Sequence, residues 1–399
     1  MTSQPDIIWI LTTQWRASAT GYAHDENAKT PWLDRLASES VNYEQAVTPH
    51  PSGPQARAAL YTGRVSPESG VVDYWDPLPP GARTIAHLLR DLGYVSAFFG
   101  KWHLSTRERN APFVGDAHAK TFVPISNRGG FDLWEGFESG FLLNDPWLHG
   151  TRLSTPQRFN GYQSEIIAQR ATDWMKTPHS GPRFCVLSVE APHPPYHAPA
   201  GEVSEQNPEK LVLRLNVPRG GDIEQRARSE LAGYYSHIEA TDRSIGSLIS
   251  EMNLANTLLV FTSVHGDMHG SHGVFRKGWP YEESIRVPFL VRNPRQPSRR
   301  DSSPMSLQDL AHMTVAWAKL REWQCQRDFA RISLPSIANI PLQCDRPWYG
   351  LRSPSQKLIL NGDGSPWLYF DLKRDPLELE NLVDNPDYAL EIEHTLKLM

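Results

Sequence analysis

Cysteine is scarce in this 399-residue chain: Cys185, Cys325 and Cys344 are the three, an odd number without paired spacing. That excludes a disulfide framework and fits a reducing compartment. Long apolar runs are missing too. Ile7 to Leu11 is too short for the apolar region of a signal peptide and far too short to span a membrane. As the sequence stands, a cytoplasmic protein without a membrane partner is expected. Basic charge is also limited, with 40 Lys and Arg against 45 Asp and Glu, a net charge of -5 and no basic run. A nucleic-acid partner is therefore not expected. No low-complexity segment or internal repeat is present. In compensation, Pro (33) and Trp (13) are plentiful, which points to long ordered loops with aromatic walls.

Taken in order, Ile7 to Leu11 reads as a strand buried on both faces. Thr12, Thr13, Gln14, Trp15 and Arg16 stand at its carboxyl end, where open parallel sheets bind ligands. A helix from Pro31 carries Leu33, Leu36 and Ala37 on one face. The stretch Pro51 to Arg64, PSGPQARAALYTGR, then opens a second helix at Ser52-Gly53-Pro54 and stops it at Gly63. Ser52 sits where backbone N–H groups and the helix dipole favour an anion, and Arg57, about one turn further, adds a planar fork of donors. Tyr94 to Phe99 makes a strand that runs into Gly100-Lys101-Trp102-His103. Residues 105–160 show no strong periodicity and are expected as a long loop region.

Ser164 to Met175 reads as helix and Phe184 to Val189 as strand, ending at Ala191-Pro192-His193-Pro194-Pro195. Gln225 to Met252 is one long amphipathic helix. Thr257 to Thr262 is a core strand leading to Ser263-Val264-His265-Gly266-Asp267, and Lys277 follows. From Asn293 the Pro-, Ser- and Arg-rich composition suggests a linker. Short strands at 348–352, 357–360 and 367–371 alternate with turns, and a helix at 388–399 closes the chain. The expected architecture is α/β: a central mostly parallel sheet flanked by helices over 1–295, with a smaller α+β subdomain carrying an antiparallel sheet over 296–399.

Ser52 with Arg57, Lys101 with His103, His193, His265 and Lys277 thus stand at five separate strand or helix ends. The segments around them, with PDIIWIL, KTPWLDRLASESV, ARAALYTGR, GYVSAFFGKWHL, APHPPYHAP, NTLLVFTSVHGDMHGSHG, KGWPYEESIRVPFLVR and LYFDLKRDPLELENL, resemble the sulfatases of the alkaline phosphatase superfamily. The resemblance covers nearly the whole chain. TTQWR is similar to the branch with arylsulfatases, choline sulfatases and phosphonate monoester hydrolases. It implies that Arg57 braces the nucleophile, and that His103 sits against that nucleophile. Lys101, His193 and Lys277 would bind sulfuryl or phosphoryl oxygens and help the leaving group. Gln14 and His265 would match positions at or beside the metal.

Two motifs depart from the family. The carboxylates that hold its Ca²⁺ or Mg²⁺ are replaced by Thr13 and Val264, and hard divalent cations rely on anionic oxygen ligands. Aligning on Arg57 places Gly53 at the nucleophile. Aligning on Ser52-Gly53-Pro54 supplies a serine but leaves one residue too many before Arg57. From these departures no cofactor, no metal ligand and no divalent cation is expected.

The leading expectation is a cationic pocket for a small anionic substrate (sulfate ester, phosphate ester or carboxylate) doing metal-independent chemistry of lyase, cyclase or transferase type. Lys101, His103, His193, His265, Lys277 and Ser52 are its candidate catalytic groups, and Arg57, Gln14, Thr13 and Trp102 its substrate contacts. One alternative is a sulfuric or phosphoric ester hydrolase with a rebuilt site. The other is a non-catalytic protein that binds an anionic ligand.

Overall fold

The computed structural model describes residues 4–399; the first three residues of the N-terminal stretch lie outside it. Ten strands form the main sheet: β1 Asp6–Thr12, β2 Val41–Tyr43, β3 Val95–Lys101, β4 Leu133–Phe137, β5 Trp147–Gly150, β6 Gln157–Arg158, β7 Arg183–Ser188, β8 Thr257–Ser263, β9 Phe289–Arg292 and β10 Arg299–Asp301. Their spatial order is β10-β2-β9-β8-β1-β7-β3-β4-β5-β6. The five central strands, β8 to β4 in that order, are all parallel, with Ile7 facing both Phe184 and Leu258.

The apolar run of β1 explains its central place, because a strand buried on both faces needs side chains that leave water in both directions. Alternation sends Ile7, Trp9 and Leu11 to one layer and Ile8 and Ile10 to the other. The first layer holds the helix Gly53–Thr62, whose Tyr61 stacks against Trp9 at 6.4 Å. The second holds the helices Gln163–Lys176 and Asp222–Ser250. Asp242 of the long helix accepts hydrogen bonds from the backbone N–H groups of Trp32 and Leu33, satisfying donors at the start of the helix Pro31–Ser38.

Four further strands, β11 Ala330–Leu334, β12 Trp348–Arg352, β13 Gln356–Asn361 and β14 Pro366–Asp371, make a separate antiparallel sheet near the chain's end. The helix Ala389–Leu396 packs on it through Ile392.

Three features differ from the sequence reading. Residues 105–160 contain β4, β5 and β6, which are short and carry too few residues for a period to show. The expected linker after Asn293 contains β10, paired with β2 of the main sheet. The helix Asp309–Ala318 then packs its Leu310, Met313 and Trp317 into the main core, so the chain leaves the large layer beyond Ala318 rather than after residue 295. Among the described residues no helix is long and apolar enough to cross a membrane.

Candidate active site

Parallel strands β1, β3, β7 and β8 all end on the same edge of the sheet. Their carboxyl ends deliver Thr13 and Gln14, Lys101 and His103, Glu190 and His193, and His265 and Asp267 into one buried region. Lys277 reaches it from the loop before the short helix Glu282–Ile285. The clustering is electrostatically evident: Lys101 and Lys277 both act on His103 and His193, and Lys277 and Arg57 both act on His265. Every one of these cations and imidazoles is less than 7% exposed.

Arg57 is fully buried. Its Nη1 donates to the Lys101 carbonyl (3.1 Å) and to Ser188 Oγ (2.6 Å), and its Nη2 donates to Thr13 Oγ1 (3.0 Å). Thr13 Oγ1 in turn donates to the Val189 carbonyl at 3.2 Å. Both side chains tie three strand ends together. They do not offer the open fork to an anion that the sequence suggested for Arg57, whose Nε alone lacks a partner. Trp102 is also placed differently: it stacks on Tyr61 at 5.2 Å inside the core and lines no binding wall. Strand alternation accounts for this, since with Lys101 turned toward the site its neighbour faces the opposite layer.

The polar contacts among the remaining groups are specific. His193 Nδ1 lies 2.7 Å from the Pro194 carbonyl, which fixes the proton on that nitrogen and leaves Nε2 to accept from Lys277 Nζ at 3.2 Å. Lys277 Nζ also donates to Gln14 Oε1 at 2.6 Å. The amide nitrogen of Gln14 donates to the Asp267 carboxylate and to the Tyr196 hydroxyl. His265 Nδ1 is 2.9 Å from the Gly266 carbonyl, and its Nε2 has no partner. The backbone of Lys277 is held from the C-terminal sheet region: Cys344 N–H donates to its carbonyl (3.3 Å), and Trp348 Nε1 donates to the Gly278 carbonyl (2.7 Å).

Two residues of the site were not visible in the sequence. Glu190 pairs with Lys101 Nζ at 2.9 Å, and both are buried. Its carboxylate also accepts from Gln163 Nε2 (3.0 Å) and from the Phe141 N–H (3.2 Å). Phe141 stacks face to face on His193 (4.2 Å, 2°) while Lys101 Nζ sits 4.1 Å above the same ring. A Glu beside the more conspicuous His-Pro segment, and a Phe within an aperiodic loop, carry no local signal.

These contacts change the charge picture. Burial, with Lys101, Lys277, Arg57 or Arg107 nearby, holds His103, His193 and His265 well below the ordinary imidazole range, so they are neutral at pH 7. Burial pushes Lys277 down to about 7, with Lys101 adding to the effect. Burial takes Lys101 down to about 8, partly offset by Glu190. For Asp267 burial pushes upward, but His269, Arg276 and the Tyr196 hydroxyl outweigh it and hold the carboxyl at about 2. The pocket is therefore two lysines among neutral imidazoles and compensating carboxylates.

At the head of the helix Gly53–Thr62, Ser52 Oγ donates to Gln55 Oε1 at 2.6 Å. The pocket side is Gly53, where a Cβ would lie 2.7 Å from His103 Nδ1. Ser52→Ala should accordingly cost about 1 kcal/mol of folding stability through the lost hydrogen bond, measured by equilibrium urea unfolding. A cost near zero would show that Ser52 points elsewhere.

A family model described as "Sulfatase" matches residues 5–320. An ulvan-active sulfatase from Formosa agariphila is 31% identical over 417 residues, covering 97% of this chain and 78% of the relative. An arylsulfatase from Clostridium perfringens is 26% identical and covers 99% and 94%. A solved Bacteroides thetaiotaomicron sulfatase of glycosaminoglycan metabolism superposes with a TM-score of 0.86 at 21% identity, covering 99% of this chain and 96% of that one. The chain belongs to the sulfatase family. The relatives named above are sulfatases, and the lyase, cyclase or transferase expectation finds no support among them.

Family membership also corrects the expectation of a protein without a divalent cation, because Ca²⁺ or Mg²⁺ belongs to the chemistry of the family the chain resembles. Among the described residues one group can hold an ion: ligand atoms of His272, Glu283 and Glu378 lie within 4.8 Å of one another. Arg214 (2.9 Å) and Lys357 already pair with its two carboxylates. At the family's own metal place the side chains fit an ion less well. Val264 is packed in the core, Thr13 Oγ1 is engaged by Arg57, and the Gln14 carbonyl oxygen accepts from Lys277.

Proposed function

We propose that the protein is a sulfuric ester hydrolase of the sulfatase type with a rebuilt catalytic pocket. The observation that carries this reading is the convergence of Lys101, His103, His193, His265 and Lys277 at the carboxyl edge of one parallel sheet. Lys101 and Lys277 would grip the sulfuryl oxygens, and the neutral His193, its Nε2 accepting from Lys277 Nζ, would hold that ammonium in place while water supplies the proton to the departing oxygen. Glu190 and Phe141 would hold Lys101 and His193 in place from behind. The ulvan-active and glycosaminoglycan sulfatases among the relatives point to sulfated saccharides as the substrate class.

Gly53 favours a second reading, a sulfate-ester-binding protein without turnover, because that position brings no attacking group of its own. Incubation with 4-nitrophenyl sulfate and with sulfated mono- and disaccharides, followed by ion chromatography of released sulfate, separates the two. Released sulfate that Lys277→Met abolishes supports the hydrolase. Calorimetric binding of the saccharides with no released sulfate overturns it in favour of the binding protein.

A further inference from the structure

The residue standing where the family's nucleophile should be has no side chain, yet the volume in front of it is filled. A Cβ on Gly53 would lie 2.7 Å from Nδ1 and 2.9 Å from Cε1 of His103, closer than such atoms approach in real proteins. The imidazole has therefore taken the room that a side chain at 53 would need. It is held there firmly. The His103 backbone adopts φ of 62°, a left-handed conformation rare for a residue with a Cβ. Its N–H donates to the Glu138 carbonyl (3.0 Å), its own carbonyl accepts from Arg107 Nη1 (3.2 Å), and Tyr74 packs edge-on against the ring at 5.5 Å. Both ring nitrogens are buried and neither has a hydrogen-bond partner, although buried polar atoms ordinarily find one. Burial among Arg107, Lys101, Arg57 and Lys277 keeps the ring neutral, so one nitrogen carries a free in-plane lone pair. A neutral, immobilised, unpartnered imidazole beside two sulfuryl-gripping lysines has what a nucleophile requires.

We propose that His103 replaces the missing side chain of Gly53 as the nucleophile, forming a covalent N-sulfohistidine with the sulfuryl group of a sulfate ester. In the first step the ring-nitrogen lone pair forms an N–S bond while the ester S–O bond breaks. The departing oxygen keeps that electron pair and takes its proton from water. In the second step water, or the hydroxide so formed, attacks sulfur, the N–S bond breaks back to neutral imidazole, and sulfate leaves. The two steps sum to ester hydrolysis, with no oxidant or further reactant. The substrate rests on the hydrolase reading, but the covalent bond has a readout of its own.

The test uses the full chain with 4-nitrophenyl sulfate, quenched in alkali, then intact mass and peptide mapping. The expected result is one sulfuryl group on the peptide containing His103, stable in alkali and lost in mild acid. His103→Gln should show no adduct and a loss of phenol release of about a thousandfold or more. His103→Ala should regain release when imidazole is added, which a merely structural role would not give. Thermal melting confirms that the variants fold, and the wild-type adduct decides the matter if they do not. Phenol release with no adduct on His103, or His103→Gln within a few-fold of wild type, overturns the nucleophile and leaves the hydrolase standing. An adduct that forms but is never hydrolysed supports the nucleophile and removes the hydrolase. Neither adduct nor release overturns both.

Discussion

Lys101→Met should lower the unfolding free energy by about 3–5 kcal/mol, because it strands the buried carboxylate of Glu190. The two groups lie 2.9 Å apart and are essentially unexposed, and the remaining hydrogen-bond partners of Glu190, the Gln163 amide and the Phe141 N–H, are neutral, with Arg57 acting on it without a hydrogen bond. Isolated buried charge is what makes such a deletion costly. Removing both partners should therefore hurt less than removing one, so Lys101→Met combined with Glu190→Gln is expected to recover most of the loss. Urea denaturation of the two single variants and the double variant gives the coupling directly. A single-variant loss below about 1 kcal/mol, the range of exposed pairs, would mean that water reaches the pair.

Affinity for inorganic sulfate should fall as pH rises from about 6 to about 9, approaching tenfold per unit once Lys277 has lost its proton. The sign follows from the direction of the shifts. Burial lowers Lys277 to about 7 and Lys101 to about 8, so both still bind protons at the acid end of that interval and lose them in sequence. An anion binds the protonated pair better. It must, by linkage, draw both proton affinities upward and take up protons as it binds. Calorimetry in buffers of different ionisation heat measures that uptake. Lys277→Met should weaken binding at pH 6 and flatten the profile through pH about 7, leaving only the fall of up to about tenfold per unit that Lys101 gives above pH about 8. Affinity that is constant across the interval would place the anion elsewhere.

Much of the scaffold was legible because its central strands are buried on both faces and so carry apolar runs, unbroken in the middle of β1, β7 and β8 and broken in β3 by Ser96. Chemistry at their carboxyl ends was legible for the same reason. What stayed hidden is instructive. Pairing of β10 with β2 is made by backbone groups, which a Pro-, Ser- and Arg-rich composition cannot report. Glu190 acquires its meaning only from Lys101, which the sheet places beside it from 89 positions earlier in the chain. Trp102 faces the core because its sequence neighbour Lys101 faces the site, a difference that adjacency in the sequence does not show. Gly53 and Ser52 could not be ranked until the helix start fixed which of them faces His103.

The hydrogen bonds from Cys344 and Trp348 to the backbone at Lys277 and Gly278 have a practical corollary. A shortened version ending after Ala318 would keep the entire ten-stranded sheet, yet would release the segment that carries one of the two lysines. Such a fragment should lose its grip on sulfate, and it should also be less stable, because Val47 and Ile285 pack on the removed strands and buried Glu282 pairs with Arg352 and Lys357. Ligand strength is thus tied to a part of the chain that supplies none of the gripping side chains.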